Sequence, residues 1–394
     1  MTLSPTKRVE QRILLSVPHT GGSEIKYVQE AFATNWLSTV GPNLMALEKE
    51  FSAWVGLSSV ALSNGTAGIH LGLKLLDLRP RDEVVTPTLT FAASCNPLLY
   101  EGAKPIFMDS ERRSWNLDPQ LLAEFLKKRA RVNKLPKAVT VVHLFGQSAD
   151  LNPILETCRQ YDLPLLEDAA ECLGAKYQGR HPGAFGDVGV YSFNGNKIIT
   201  GTTGGMLVAQ KAEWVEKARK WSTQARDLDP EGINNYVHSE LGYNYRMSNV
   251  IAGIVRGQWE VLPQRVEERR VVFERYCRAF VDLPGLEPQP EAFGSAKCEV
   301  RGPRADKPRR EPEARERKTG DGQSASENPK SEIRNPKSSC HTRWLSCFLI
   351  DEKKFGISQA ELIRFLDAAN VESRPVWKPM HTQKLYQGYE CIGG

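Results

Sequence analysis

The chain has 394 residues, 40% hydrophobic and 25% charged, a globular balance with material for two or three domains. It contains no run of about 18 apolar residues, which excludes an ordinary membrane-spanning helix, and its first residues lack the apolar core and cleavage-like site of a secretory signal, so the cytoplasm is the expected compartment. Of the net charge of +5, most sits in residues 301–337, with eleven Lys/Arg against seven Asp/Glu; the near-neutral remainder argues against a nucleic-acid-binding face.

In chain order, NLMALEKEFSAW (43–54) sets Leu44, Leu47, Phe51 and Trp54 at helical spacing, and TAGIHLGLKLLDL (66–78) reads as a buried helix. Apolar runs and helical patterns then alternate. Strands are predicted at Glu83–Thr86, Pro105–Met108, Ala138–Val142 and Pro164–Glu167, with helices near 93–101, 118–129 and 152–161 between them. Two further strands follow at Val188–Phe193 and Gly205–Ala209, then a helix near 211–223 and long helical patterns across 247–281. The alternation predicts an α/β fold, a mostly parallel sheet covered by helices.

From about 284 to 340 the pattern breaks. Residues 301–337 contain one large aliphatic residue, Ile333, and no aromatic; ENPKSE at 327–332 returns as RNPKSS at 334–339. Such a segment buries too little apolar area to offset its ordering entropy, so disorder is predicted. A strand at Trp344–Ile350 and a helix at Ser358–Ala369, with Ser358 as N-cap, follow. Eight cysteines show no C-x-x-C spacing and read as reduced thiols, with no metal site.

Three stretches could carry chemistry. SNGTAGIHLGL (63–73) puts Gly65, Thr66 and Ala67 at a helix N-terminus, where free N–H groups and the helix dipole suit a phosphate; an ordinary N-cap with small residues for packing explains the same pattern. LPLLEDAAECLGA (163–175) ends a strand in Glu167-Asp168, and the C-terminal ends of parallel strands are where such sheets bind ligands. An Asp there could pair with a protonated ring nitrogen or merely cap the next helix. In DVGVYSFNGNKIITGTTGGML (187–207), Lys197 follows a strand in a Gly/Asn turn. A lone loop lysine is usually a solvated charge, but a lysine reaching a pocket can form a Schiff base. A phosphate cradle, a strand-end Asp and a strand-end Lys on one sheet together meet the needs of pyridoxal phosphate.

At this point the sequence resembles the DegT/DnrJ/StrS aminotransferases. The resemblance runs through about residues 12–283 and returns at 343–394. It is carried by ATNWLSTVGPN (33–43), SNGTAGIHL (63–71), PTLTFAASCNPLLYEGAKPIFMD (87–109), VVHLFGQSADL (141–151), EDAAECLGA (167–175), SFNGNKIIT (192–200) and GYNYRMSNVIAGI (242–254). It implies a pyridoxal-phosphate-dependent transferase of fold type I, with a large cofactor-binding domain over 1–260. A small C-terminal α+β domain would span 261–394, interrupted at about 296–341 and shortened at its end.

The implied activity is amino transfer from glutamate to a nucleotide-linked keto sugar for a cell-surface polysaccharide. SFNGNKIIT with GYNYRMSN looks closest to members that make 4-amino-6-deoxy sugars, which points to a 4-keto-6-deoxy acceptor. Lys197 and Asp168 would be catalytic, Lys197 holding the cofactor and shuttling a proton, Asp168 pairing with the ring nitrogen. Phe91 would stack on the ring and Glu171 lie near its phenolic oxygen. Gly65, Thr66, Ala67, Ser192 and Asn194 would complete the cofactor site. Asn244 would reach the phosphate of the neighbouring subunit, so a homodimer is implied, and Arg246 would help there, contact the substrate or form a structural ion pair. Relatives with His in place of Lys197 act as dehydratases. A cofactor-binding regulatory or impaired relative is the rival reading, and a nucleic-acid partner recruited by 301–337 a third.

Overall fold

The computed structural model describes residues 9–233, 235–294 and 339–393; the disorder expected for 301–337 lies outside them. The chain opens with α1 (Glu24–Ala33) and α2 (Pro42–Val55), followed by β1 (Ser58–Leu62) and α3 (Gly65–Leu75). The alternating block then runs β2 (Glu83–Pro87), α4 (Asn96–Tyr100), β3 (Lys104–Met108), α5 (Pro119–Ala130), β4 (Ala138–Val142), α6 (Leu151–Gln160) and β5 (Leu165–Asp168). It closes with β6 (Val188–Ser192), β7 (Gly205–Ala209) and α7 (Ala212–Ser222). A small hairpin, β8 (Arg226–Asp227) and β9 (Val237–His238), leads into α8 (Asn249–Glu260) and α9 (Leu262–Ala279). The last part holds β10 (Leu286–Pro288), β11 (Phe348–Ile350), α10 (Glu352–Phe355), α11 (Gln359–Ala368) and β12 (Cys391–Ile392).

Eight strands form one sheet in the order β1-β7-β6-β5-β4-β2-β3-β12. All neighbours from β6 to β12 pair in parallel, and β7 runs antiparallel to both β6 and β1. The expected α/β architecture with a mostly parallel sheet is therefore present. Its strands are short, nearly continuous apolar runs because both faces are covered: every residue of β4, β5, β6 and β7 is buried.

Helix α3 shows how composition positions the site. Gly68 and Gly72 lie on its sheet-facing side, where a Cβ would stand 2.6 Å from Val190 Cγ1 and 2.8 Å from Leu166 Cδ1. Only glycine lets the helix lie directly on β5 and β6, which carries its N-terminus to the ends of those strands. Asp118 caps α5, Ser248 caps α8, and Ser358 with Glu361 closes a capping box on α11.

Four local outcomes differ from the sequence reading. The sequence pattern gave no α1 or β1; β1 is a five-residue run between two strong helical patterns. The helical stretch across 247–281 divides at Val261, where Pro263 starts α9 because it has no N–H to continue α8. The strand expected from Trp344 begins only at Phe348, since Trp344 turns into the core at 1% exposure. Cys340 is disulfide-bonded, against the reading of eight reduced thiols; spacing along the chain does not report a through-space pairing. Cys298 lies outside the described residues, and Cys95, Cys158, Cys172, Cys277 and Cys347 carry free thiols.

The ends of the chain cross between its parts. Ile13 forms a parallel bridge with Val371, and β12 extends the main sheet beside β3. No helix among the described residues is long and apolar enough to cross a membrane.

Candidate active site

The parallel strands β2, β4, β5 and β6 end on one rim. Side chains alternate across a strand, so Glu167 and Asp168, adjacent at the end of β5, leave the sheet on opposite sides. Glu167 is fully buried and accepts from Gly183 N (2.8 Å), Phe185 N (2.7 Å) and Gly186 N (2.6 Å). His143 Nε2 lies 2.9 Å from its Oε2, and because His143 Nδ1 accepts from Ala149 N (3.1 Å), the proton sits on Nε2. Burial alone would raise the Glu167 carboxyl, but the His143 bond and the loop amides carry it below its ordinary range. Glu167 thus closes the loop between β5 and β6.

Asp168 faces the other way. Its Oδ2 accepts from Ser94 Oγ (2.6 Å) and its Oδ1 from Ala170 N (3.1 Å). Ser94 ends the one-turn helix that follows Phe91, and it is itself bonded to Thr90 Oγ1 at 2.7 Å. The carboxylate is 4% exposed and rotationally fixed.

Lys197 lies five residues beyond β6, in a turn closed by Lys197 N to Asn194 O (3.0 Å). Its Nζ stands 3.5 Å from Glu171 Oε1 and 4.2 Å from the centroid of the Trp344 ring. Glu171 Oε2 accepts from Phe145 N at 2.9 Å, and Phe145 adopts a left-handed backbone at φ 56° to present that N–H. Burial raises the Glu171 carboxyl above its ordinary range, against the pull of Lys197.

The N-terminus of α3 meets the end of β6. A Cβ on Gly65 would stand 3.1 Å from Ser192 Cβ, so the tip approaches only because the residue is glycine. Asn64 caps the helix by accepting from Ala67 N at 2.8 Å, which engages the Ala67 amide and leaves Gly65 and Thr66 at the very tip. Ser192 is buried at 7% exposure, and its Oγ accepts from Asn194 N at 3.3 Å.

The remaining predicted residues are spread around this centre. The Asn194 side chain is exposed and bonds Asn196 Oδ1 at 3.1 Å. Phe91 is 55% exposed and meets Trp377 edge-on at 5.7 Å, which in turn packs on Phe145 at 5.6 Å. Asn244 is exposed in the extended stretch that pairs with Thr223. Arg246 is bound: its Nη1 donates to Glu48 Oε1 and to Ala61 O (2.8 Å), which makes it a structural ion pair. Sequence reasoning missed Ser94, Phe145, Trp344 and Trp377. Each reaches the site from a distant segment, and a small polar residue after a phenylalanine (FAAS) was the sole local hint.

Residues 18–300 match the DegT/DnrJ/EryC1/StrS aminotransferase family. EpsN of Bacillus subtilis, named for pyridoxal phosphate-dependent aminotransfer, is 39% identical over 96% of this chain and 84% of its own length. A GDP-perosamine synthase of Caulobacter vibrioides is 33% identical over 95% of this chain and 87% of its own. Among solved structures, the aminotransferase TlmJ of Streptoalloteichus hindustanus superposes with a TM-score of 0.77 at 26% identity, covering 96% of this chain and 88% of that one.

Proposed function

The chain belongs to the DegT/DnrJ/EryC1/StrS aminotransferase family, and from that premise we propose that it transfers an amino group from glutamate to a nucleotide-linked 4-keto-6-deoxy sugar. Pyridoxal phosphate is the cofactor, and the residues present fit it. A side-chain amine, a buried carboxylate and a glycine helix tip converge on one rim, and a Cβ at Gly65 would close the space beside Ser192. That convergence is the observation that supports the reading. Bound there, the cofactor supplies an electron-poor ring that accepts the electron pair left when a C–H bond beside the amino group breaks.

The chain's own residues divide the remaining work. Asp168, its carboxylate fixed by Ser94 and Ala170, would hold the ring nitrogen protonated. Lys197 would bind the cofactor aldehyde, then accept at Nζ the proton from one carbon and return it to another. The amides of Gly65 and Thr66 and the Ser192 hydroxyl would hold the phosphate at the positive end of α3, with Ala67 and Asn194 shaping that end. Phe91 would stack on the ring, and Glu171 would lie near its phenolic oxygen. Asn244, exposed here, would reach the phosphate of a second copy in a homodimer. Residues 1–260 would form the large cofactor-binding part and 261–394 the small one. The Caulobacter relative, named for a GDP-linked sugar product, supports a nucleotide-linked acceptor.

The test is the visible spectrum of purified protein with added pyridoxal phosphate, wild type beside Lys197→Ala, before and after glutamate. A band that bleaches with glutamate and is missing in the variant is the expected result. UDP-, dTDP- and GDP-linked 4-keto-6-deoxy sugars then follow as acceptors. A well-folded wild type without a band overturns the reading.

A further inference from the structure

Residues 339–344 enter the fold along a fixed track. Cys340 and Lys176 exchange backbone bonds at 2.8 and 3.1 Å, and Thr342 N donates to Gly146 O at 3.0 Å. The Arg343 guanidinium donates to Gln289 O at 2.8 Å and lies 3.8 Å over the Phe273 ring. The track ends by laying the Trp344 indole beneath the Lys197 turn. Trp344 Nε1 donates to Asn196 O at 2.8 Å, one residue before Lys197, so ring and turn are bonded to each other.

The ring's face is therefore turned toward the lysine. Lys197 Nζ stands 4.2 Å from the ring centroid with Glu171 Oε1 at 3.5 Å, and its side chain is 12% exposed. A core tryptophan needs only apolar neighbours. This one has an amine over its π face, where the ring quadrupole attracts a cation.

We propose that Trp344 is a positioning residue for Lys197, holding and stabilising the ammonium that forms whenever Nζ is free of the cofactor and carries the transferred proton. The inference rests on the assignment of Lys197 above. In the proton transfer the C–H bond beside the donor's amino group breaks, its electron pair stays on the carbon side, and the proton becomes the third N–H of Nζ. Positive charge develops at Nζ during that step. A fixed π face stabilises the charge as it appears, without reorganisation of solvent.

The test pairs Trp344→Phe, which keeps a π face and loses the N–H, with Trp344→Leu, which loses both. In cofactor-free protein carrying 13C at the lysine ε-carbons, the cross-peak missing from Lys197→Ala identifies Lys197. Ring-current shielding should displace it upfield in wild type, less in Trp344→Phe, and not in Trp344→Leu. In holoenzyme, the half-reaction with glutamate should slow about tenfold in Trp344→Leu and about threefold or less in Trp344→Phe, with the glutamate KM within about twofold of wild type. An unshielded Lys197 peak in wild type overturns the inference. So does equal slowing in the two variants, or a Leu variant within about twofold of wild type. If Trp344→Leu does not fold, loss of the upfield displacement in Trp344→Phe overturns it. Wild type that takes up no pyridoxal phosphate overturns the premise instead, a result distinct from a normal band with an unaffected Leu variant.

Discussion

The two sides of the β5 rim differ sharply although they are built from the same chemistry. On one side Glu167 is surrounded by donors: three loop amides and a histidine N–H meet its two oxygens. On the other, Asp168 takes one hydroxyl and one amide, and Lys197 and Glu171 stand without the crowding of donors that closes Glu167. A carboxylate whose acceptors are fully used holds structure together. One held still by two partners at the end of a parallel strand lies where such sheets bind ligands.

A crossed pair of substitutions breaks or sharpens this contrast most strongly. Glu167→Gln places an NH2 group against donors that His143 and the loop cannot withdraw, leaving buried polar groups unpaired. The expected cost is about 1–3 kcal/mol of stability, read as a drop in the thermal midpoint. Asp168→Asn should leave that midpoint nearly unchanged while slowing the glutamate half-reaction about 100- to 1,000-fold. If both variants instead lost stability and activity in parallel, the division of labour across the strand would be wrong.

How much of this was legible beforehand follows from the range of each interaction. The runs Ala138–Val142 and Gly205–Ala209 appear as strands with the boundaries expected, because strand character there is set by local apolar patterning between turn residues. Lys197, Asp168 and Gly65 were legible as candidates for a related reason: each sits at a junction of elements that the pattern locates. The separate task of Glu167 was not legible, since nothing in the dipeptide Glu167-Asp168 says which face the 183–186 loop covers. Trp344 was invisible as a site residue, read as the first position of a strand. Its contact with Lys197 spans 147 positions along the chain, and no local pattern encodes a pairing at that separation.

A half-buried histidine extends the contrast to pH. His181 is stacked on Trp54 at 3.7 Å, and burial, with Lys176 nearby, pulls it down to about 3. Its ordinary value is near 6.5, so between those limits the unfolded chain binds a proton that the folded one does not. Stability is therefore full above about pH 6.5 and is lost as pH falls toward 3. Glu167, with its lowered carboxyl, acts in the same direction at more acid pH. One such proton corresponds to about 1.4 kcal/mol per pH unit. His181→Phe keeps the stacking partner and cannot be protonated, so its stability should fall less steeply than wild type between pH 6 and pH 4, measured by urea unfolding at each pH. Parallel slopes would remove His181 from the account.

Glu171 carries the smallest expected effect and the opposite sign. Its carboxyl is raised by burial despite Lys197, so the folded state favours the protonated form. A raised carboxyl stabilises the fold at low pH, and that contribution is lost as pH rises from the ordinary carboxylate value through the raised one. Glu171→Gln keeps an acceptor for Phe145 N–H and has no charge to desolvate. The variant should therefore gain on wild type as pH climbs from about 4 toward neutrality, by no more than about 1 kcal/mol. Thermal midpoints of the two proteins at pH 4.5 and pH 7.5 decide it. A gap that widens toward pH 7.5 means that Glu171 is held for its place beside Lys197 at a cost to the fold. A gap that closes means that the Lys197 ammonium outweighs burial, and that the pair itself contributes to stability.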